Sequence, residues 1–355
     1  MNVLCYGISI YLSESDTFNK NWMEKAAKSG FQYIFTSLHI PEEKDVDYVK
    51  QIKWLGKTAQ EFHLEVMADV SPASLERLGL SFSELPSLTD WGISGIRMDY
   101  GFTAKQIAWL SHHLKVSLNA STIDEEELKK LMDEGLQPRQ TEAWHNFYPK
   151  PFTGISKASL YERNALFHRY GIKTMAFVHG DDQLRGPLHL GLPTIENHRH
   201  VTPSLAALEL QEMNTDKICI GDLNLTNKSL QELKYLMEGT VPLYADLYKG
   251  YEIFENMVHT NRMDAAEYVI RSVESRHKPS HFQQEAHELE LFNEGTITVE
   301  NELYGRYEGE LQISLKDIPA DAKTNVAGRI KTESLSLMKK VGSGKRFVLL
   351  NSEVK

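Results

Sequence analysis

The sequence predicts an α/β protein, a TIM (β/α)8 barrel followed by a small β-rich domain. Three observations carry this reading. Eight short apolar runs alternate with helical patterns over roughly the first 240 residues, the strand count and size of such a barrel. The last third turns to apolar alternation broken by turn residues, as in a compact β-barrel. At 355 residues the chain is long for one core, which suggests two domains, 1–240 and 241–355.

The elements follow in order. Residues 3–11 form an apolar opening strand, and 21–28 a helix stopped by Ser29-Gly30. Residues 33–38 are a second strand, ended by His39-Ile40-Pro41, and 46–62 a long amphipathic helix. The third strand, 64–70, carries Asp69 near its far end, and short helical pieces follow at 74–78 and 81–85. The fourth strand, 95–99, holds Arg97 and ends in Asp99; a helix at 103–110 leads to the fifth, 116–119, ending in Asn119. Thr122 is read as the cap of a helix with Glu early and Lys late, which suits the helix dipole. The sixth strand and its exit loop span 140–147, followed by a helix at 160–170. The seventh strand, 173–178, runs into His179-Gly180-Asp181; a helix at 203–212 precedes the eighth, 217–220, which runs into Gly221-Asp222. Residues 229–237 form the closing helix. Beyond it, 243–275 has helix-like patterning, including 264–273, and strands are expected at 288–292, 296–299, 309–315, 326–330 and 346–350. A doubly wound open sheet is the competing architecture, but Tyr6-Gly7-Ile8-Ser9 is an incomplete nucleotide loop.

Composition narrows the function classes. Hydrophobic residues make up 41% and charged residues 25%, as in globular proteins. No run of about 18 apolar residues suggests a membrane span. The first residues read as a strand and not as a signal peptide. Two distant cysteines in apolar runs give a reduced, cytoplasmic pattern. A formal charge of −10 disfavours nonspecific nucleic-acid binding.

In a barrel the chemistry sits at the C-terminal strand ends. Those ends supply Ser9, His39, Asp69, Arg97, Asp99, Asn119, His179, Asp181 and Asp222. The densest stretch is Glu142-Ala143-Trp144-His145-Asn146-Phe147-Tyr148-Pro149-Lys150-Pro151-Phe152-Thr153-Gly154. It combines a carboxylate, an imidazole, an amide and aromatic rings between prolines. That mixture suits a sugar: rings stack on C–H faces, His and amides hold hydroxyls, and a carboxylate moves a proton. The alternative is a structural loop packing its rings on the core. The long loop of residues 181–199 offers Arg185 and Arg199 as anion ligands, in the region where barrels often bind phosphate. Surface pairing with Asp181, Asp182 or Glu196 is the other reading. His-x-His and His-Glu-x-x-His are missing, so no metal or other cofactor is expected. There is no Gly-x-Ser-x-Gly elbow, and neither thiol has an activating neighbour.

Several segments resemble the MupG-type 6-phospho-N-acetylmuramidases. They are Glu142 to Pro149, Thr153-Gly154, Arg185-Gly186-Pro187, and Gly191-Leu192-Pro193-Thr194-Ile195-Glu196. The opening Tyr6 to Tyr11, Arg97 to Phe102, and Asn301 to Leu311 are similar to the same family, so the resemblance spans nearly the whole chain. It implies a TIM barrel with a cyclophilin-like second domain. It implies a cytoplasmic glycosidase that splits N-acetylmuramic acid 6-phosphate–N-acetylglucosamine in cell-wall recycling, the muramyl sugar arriving phosphorylated through a phosphotransferase system.

Such hydrolysis needs a carboxylic acid and a second carboxylate, unless the substrate's own N-acetyl group acts as nucleophile. Glu142 and Asp99 are the first candidates, with Asp222, Asp69 and Asp181 in reserve. Candidate binding residues are His39, Asn119, His145, Asn146 and Tyr148, with Arg97, Arg185, Arg199 and Arg306 for the phosphate and the lactyl carboxylate. The expected partner is a small phosphorylated disaccharide, with no nucleic acid and no membrane; a homo-oligomer is compatible. Two other classes stay open: a non-catalytic sugar-phosphate sensor, and a metal-dependent sugar-phosphate isomerase or aldolase.

Overall fold

The computed structural model describes residues 5–38, 47–277, 281–285 and 290–351. The chain divides into two compact units, Asn2–Gln231 and Glu232–Lys355. Among the described residues no helix is long and apolar enough to cross a membrane.

The first unit is a closed barrel of eight parallel strands in sequence order: β1 Cys5–Ser9, β2 Tyr33–Ser37, β3 Glu65–Val70, β4 Gly95–Met98, β5 Lys115–Asn119, β6 Thr141–Trp144, β7 Lys173–Val178 and β8 Lys217–Ile220. β8 closes on β1 with Cys5 opposite Lys217 and Ile8 opposite Ile220. The helices between strands are α1 Asp16–Lys28, α2 Tyr48–Glu61, α3 Pro72–Leu78, α4 Ala104–Ser111, α5 Glu125–Asp133, α6 Lys157–Arg169, α7 Pro203–Glu212 and α8 Asn227–Met237.

Side-chain caps fix where most of these helices start. Ser15 accepts from the N–H of Phe18, so α1 begins at Asp16, ahead of the start expected at residue 21. The cap of α5 is Asp124 and not Thr122: Asp124 Oδ1 accepts from Glu127 N at 2.9 Å. A carboxylate there satisfies an N–H and meets the positive end of the dipole together, which a hydroxyl cannot. The residue 81–85 segment becomes a longer 3-10 helix, Phe82–Trp91.

Alternation along each strand decides what faces the lumen. Tyr33, Phe35, Met67, Trp144, Met175, Phe177 and Cys219 fill its middle as one buried cluster. Gly7 makes room for the Tyr33 ring, because a Cβ there would lie 2.3 Å from it. Toward the C-terminal ends the inward positions turn polar, and there the site begins.

The second unit contains β9 Thr240–Leu247, β10 Val258–Thr260, β11 Val269–Arg271, β12 Leu291–Phe292, β13 Thr296–Glu300, β14 Leu311–Ser314, β15 Ile318–Pro319, β16 Thr324–Ile330, the short helix α9 Leu335–Met338, and β17 Arg346–Leu350. Seven strands form one mixed sheet in the order β10-β17-β9-β16-β13-β14-β11, and β12 pairs with β15. A bridge between Asn261 and Ser272 brings the two edge strands together, so the sheet nearly closes. The helix-like reading of residues 243–275 is corrected here: β9, β10 and β11 and the 3-10 turn Glu252–Phe254 take its place. Short apolar runs carry too few residues to separate a period of 3.6 from a buried strand.

Candidate active site

The mouth of the barrel holds a cluster built from four consecutive strands. Arg97, on β4, is buried; its Nη1 donates to Asp69 Oδ1 at the end of β3 (2.9 Å) and to Asp99 Oδ1 just past β4 (3.1 Å). Its Nη2 donates to Asn146 Oδ1 beyond β6. Asn119 Nδ2, at the end of β5, donates to the same Asp99 oxygen at 2.9 Å. The two carboxylates therefore differ in access. The Asp69 side chain is 8% exposed and that of Asp99 is 23% exposed. Phe147 meets Phe35 and Phe177 edge-on and covers the apolar lumen from this side. Of the residues singled out in sequence, Asp69, Arg97, Asp99, Asn119 and Asn146 are brought together.

Arg185 lies on the loop after β7. Its guanidinium sits 4.3 Å from the centre of the Tyr11 ring. Burial keeps the Tyr11 hydroxyl protonated, and it donates to the Gly221 carbonyl at 2.5 Å. Among the described residues the Arg185 guanidinium has no hydrogen-bonding or ionic partner. A half-buried cation on an aromatic face, with its N–H groups unspent, can take an oxyanion.

Arg199 is the opposite case. Its Nε and Nη2 grip both oxygens of Glu196 (2.8 and 3.0 Å), Nη1 donates to the carbonyls of Leu190 and Gly191, and Nη2 reaches the carbonyl of Tyr148. All five N–H donors are spent, so Arg199 clasps two loops and has none left for a phosphate. Asp222 is likewise structural. It is fully buried and accepts the N–H groups of Gly180 (2.8 Å), Arg185 (3.0 Å) and Leu192 (3.0 Å). Burial pushes its carboxyl up, opposed by those three N–H groups. It shapes the loop that presents Arg185.

Other candidates sit elsewhere. Glu142 Oε1 pairs with Lys217 Nζ at 2.7 Å, and its Oε2 accepts from Trp144 Nε1 at 2.7 Å. Lys217 is the first residue of β8, so this pair lies at the strand-start end, with the apolar layer between it and the mouth. The sequence expects Glu142 with the groups at the C-terminal strand ends; its partner Lys217 places it at the opposite end of the barrel. His145 points out of the barrel: a ring nitrogen meets Asn164 of α6 at 2.9 Å, and Asn164 in turn donates to Met213 and Thr215. Asp181 caps α8, accepting from Thr226 N (2.9 Å), Thr226 Oγ1 (3.0 Å) and Ser229 Oγ (2.6 Å). Tyr148 is half-buried, its N–H bonded to the Pro193 carbonyl at 2.9 Å. Arg306 belongs to the second unit, where it is exposed and donates to the Tyr307 hydroxyl at 2.6 Å. His39 lies outside the described residues. Among the described residues no group of three or more His, Cys, Asp or Glu could hold a metal ion. Sequence reasoning missed Tyr11 as the platform under Arg185 and Asn164 as the anchor of His145; an apolar strand end and a mid-helix Asn gave no signal.

Burial pushes the His145 and His198 imidazoles down to about 4. The unfolded chain takes up protons on them below about pH 6.5, which the folded barrel refuses. Their contribution to stability is thus full above pH 6.5 and is lost as pH falls toward 4. Each histidine contributes a slope of up to about 1.4 kcal/mol per pH unit in that window. Glu300 of the second unit, raised by burial to about 7, works in the opposite sense. The measurement is therefore hydrogen exchange at barrel amides of β6 and β7: global protection should fall between pH 6.5 and 5, and a flat profile would contradict the burial argument.

Comparison with known proteins places the whole chain. Residues 6–235 match the family described as 6-phospho-N-acetylmuramidase, N-terminal, and 241–350 the matching C-terminal family. A conserved protein from Enterococcus faecalis, of unknown function, is 36% identical, with a TM-score of 0.85 over 98% of this chain and 97% of that one. A B. cereus protein described as uncharacterized is 28% identical, with a TM-score of 0.79 over 98% of this chain and 99% of that one. No curated protein matches the sequence.

Proposed function

The chain belongs to the 6-phospho-N-acetylmuramidase family, and from that premise we propose that it hydrolyses N-acetylmuramic acid 6-phosphate–N-acetylglucosamine. The products are N-acetylmuramic acid 6-phosphate and N-acetylglucosamine, and the setting is cytoplasmic recycling of cell-wall sugars. The supporting observation is the mouth itself: two carboxylates from neighbouring strands on one buried guanidinium, in a barrel that also presents an unpaired Arg185. Asp99, the more exposed of the two, exchanges the proton with the glycosidic oxygen. Asp69, deeper and on the shorter contact to Arg97, fixes Arg97 and Asp99 in place.

With one carboxylate accessible, the substrate's acetamido group completes the chemistry. Its carbonyl oxygen attacks C1, the C1–O bond to the leaving sugar breaks, and Asp99 gives that oxygen its proton. Water then attacks C1 as the bond from C1 to the acetamido oxygen breaks and frees that group, Asp99 takes the water's proton, and the anomeric configuration is retained. Asn119 and Asn146 hold Asp99 and Arg97 through both steps.

Arg185 takes the 6-phosphate. A hydrogen bond to a charged group is worth about 1.5–3 kcal/mol. Arg185→Gln should therefore lower kcat/KM for the phosphorylated disaccharide about 10- to 100-fold and leave the poorer activity on the unphosphorylated disaccharide unchanged. Equal losses on both substrates, or none on either, would remove the phosphate assignment. The reading as a whole is tested by incubating the purified protein with the disaccharide and assaying free N-acetylglucosamine. Binding without release would favour the sensor.

A further inference from the structure

We infer that Phe152 is a stacking platform for the outer sugar of the glycan, the ring on the leaving-group side; this rests on the glycosidase reading above. Phe152 is 92% exposed, more than any other large apolar side chain among the described residues. It also holds φ at +66°, in the left-handed region that a bulky side chain disfavours. Exposure and backbone strain at one residue both oppose stability, and nothing in the barrel's packing needs either.

The turn that imposes them is firmly built. Glu196 accepts the N–H of Gly154 at 2.9 Å, is also held by the Phe152 N–H, and is gripped by Arg199. These donors, Arg199 first, hold the Glu196 carboxyl down at about 2. Tyr148 N bonds to the Pro193 carbonyl and Ile155 N to the Thr194 carbonyl, so both feet of the lobe stand on the next loop. Pro149 and Pro151 stiffen its crest.

The lobe is also tied to the chemistry. It continues from Asn146, which accepts from Arg97, and six residues span at most about 20 Å. An aromatic face on a built turn, no farther than about 20 Å from Asn146 yet almost fully in water, fits a sugar ring that is itself outside the mouth. The phosphorylated sugar has its own ligand in half-buried Arg185, so the ring left for Phe152 is the N-acetylglucosamine.

The test uses the full chain carrying Asp99→Asn to slow turnover, titrated calorimetrically with two probes, the phosphorylated disaccharide and N-acetylmuramic acid 6-phosphate alone. Adding Phe152→Ala should weaken the disaccharide about three- to tenfold and leave the monosaccharide phosphate unchanged, and Phe152→Trp should restore the disaccharide. Unchanged disaccharide affinity, or equal weakening of both probes, overturns the platform alone. A parent protein that binds neither probe overturns the glycosidase reading and the platform with it. Dissociation of an oligomer by Phe152→Ala in sedimentation would make the residue a subunit contact and also overturn it.

Discussion

Asp99→Asn should lower kcat on the phosphorylated disaccharide by about 10²- to 10⁴-fold, the usual worth of general acid–base help. The substitution keeps the size and hydrogen-bonding reach of the side chain but removes its proton chemistry. Arg97 would still donate to the Oδ1 of the new amide, and it keeps Asp69 at 2.9 Å. The fold should therefore survive, and circular dichroism with a thermal melt checks that. KM should change little, because Asp99 acts on the leaving oxygen and Arg185 holds the phosphate. A variant retaining more than about a tenth of wild-type kcat would exclude Asp99 as the proton donor, since that is far less than such a donor contributes.

Glu142→Gln should do the reverse, costing about 3 kcal/mol of stability while leaving kcat within a few-fold. Burial pushes the Lys217 ammonium down, but Glu142 at 2.7 Å more than offsets this and the group stays charged. Removing the carboxylate strands that charge where its side chain is only 11% exposed. Loss of one partner of a buried pair typically costs about 3–5 kcal/mol, and the residual exposure places this case at the low end. The new amide oxygen can still accept from Trp144 Nε1, which now reaches Glu142 at 2.7 Å. Adding Lys217→Met, which removes the stranded charge, should recover most of the loss. Denaturant melts of the single and double variants decide it: a single variant as stable as wild type would show that the pair is not the plug of the barrel.

That Asp99 lies at the mouth and Glu142 at the opposite end, where the sequence expects both at C-terminal strand ends, has one physical cause. Strand alternation says which residues face the lumen, and both do. Depth along the axis depends on where each strand begins and on the tilt of the barrel, and neither is written locally. Asp69, Arg97, Asp99 and Asn119 were legible because each lies at the C-terminal end of a short apolar run. His145 fell one position out of phase with Asn146 and faces α6 instead. Arg185 and Arg199 look alike as letters in one loop. Only the partners separate them: a carboxylate and three carbonyls for Arg199, and a tyrosine face for Arg185. The barrel itself was plain because eight alternations add up. The β-rich second part was plain as well, but residues 243–275 were not, because β10 and β11 are three residues each.

The most direct measurement is the release of N-acetylglucosamine from N-acetylmuramic acid 6-phosphate–N-acetylglucosamine by wild type, Asp99→Asn and Glu142→Gln, each at a temperature well below its melt. Release by wild type and Glu142→Gln with loss in Asp99→Asn is the predicted result. Release by Asp99→Asn at the wild-type rate, with Glu142→Gln folded and inactive, would move the chemistry out of the barrel mouth and contradict the account.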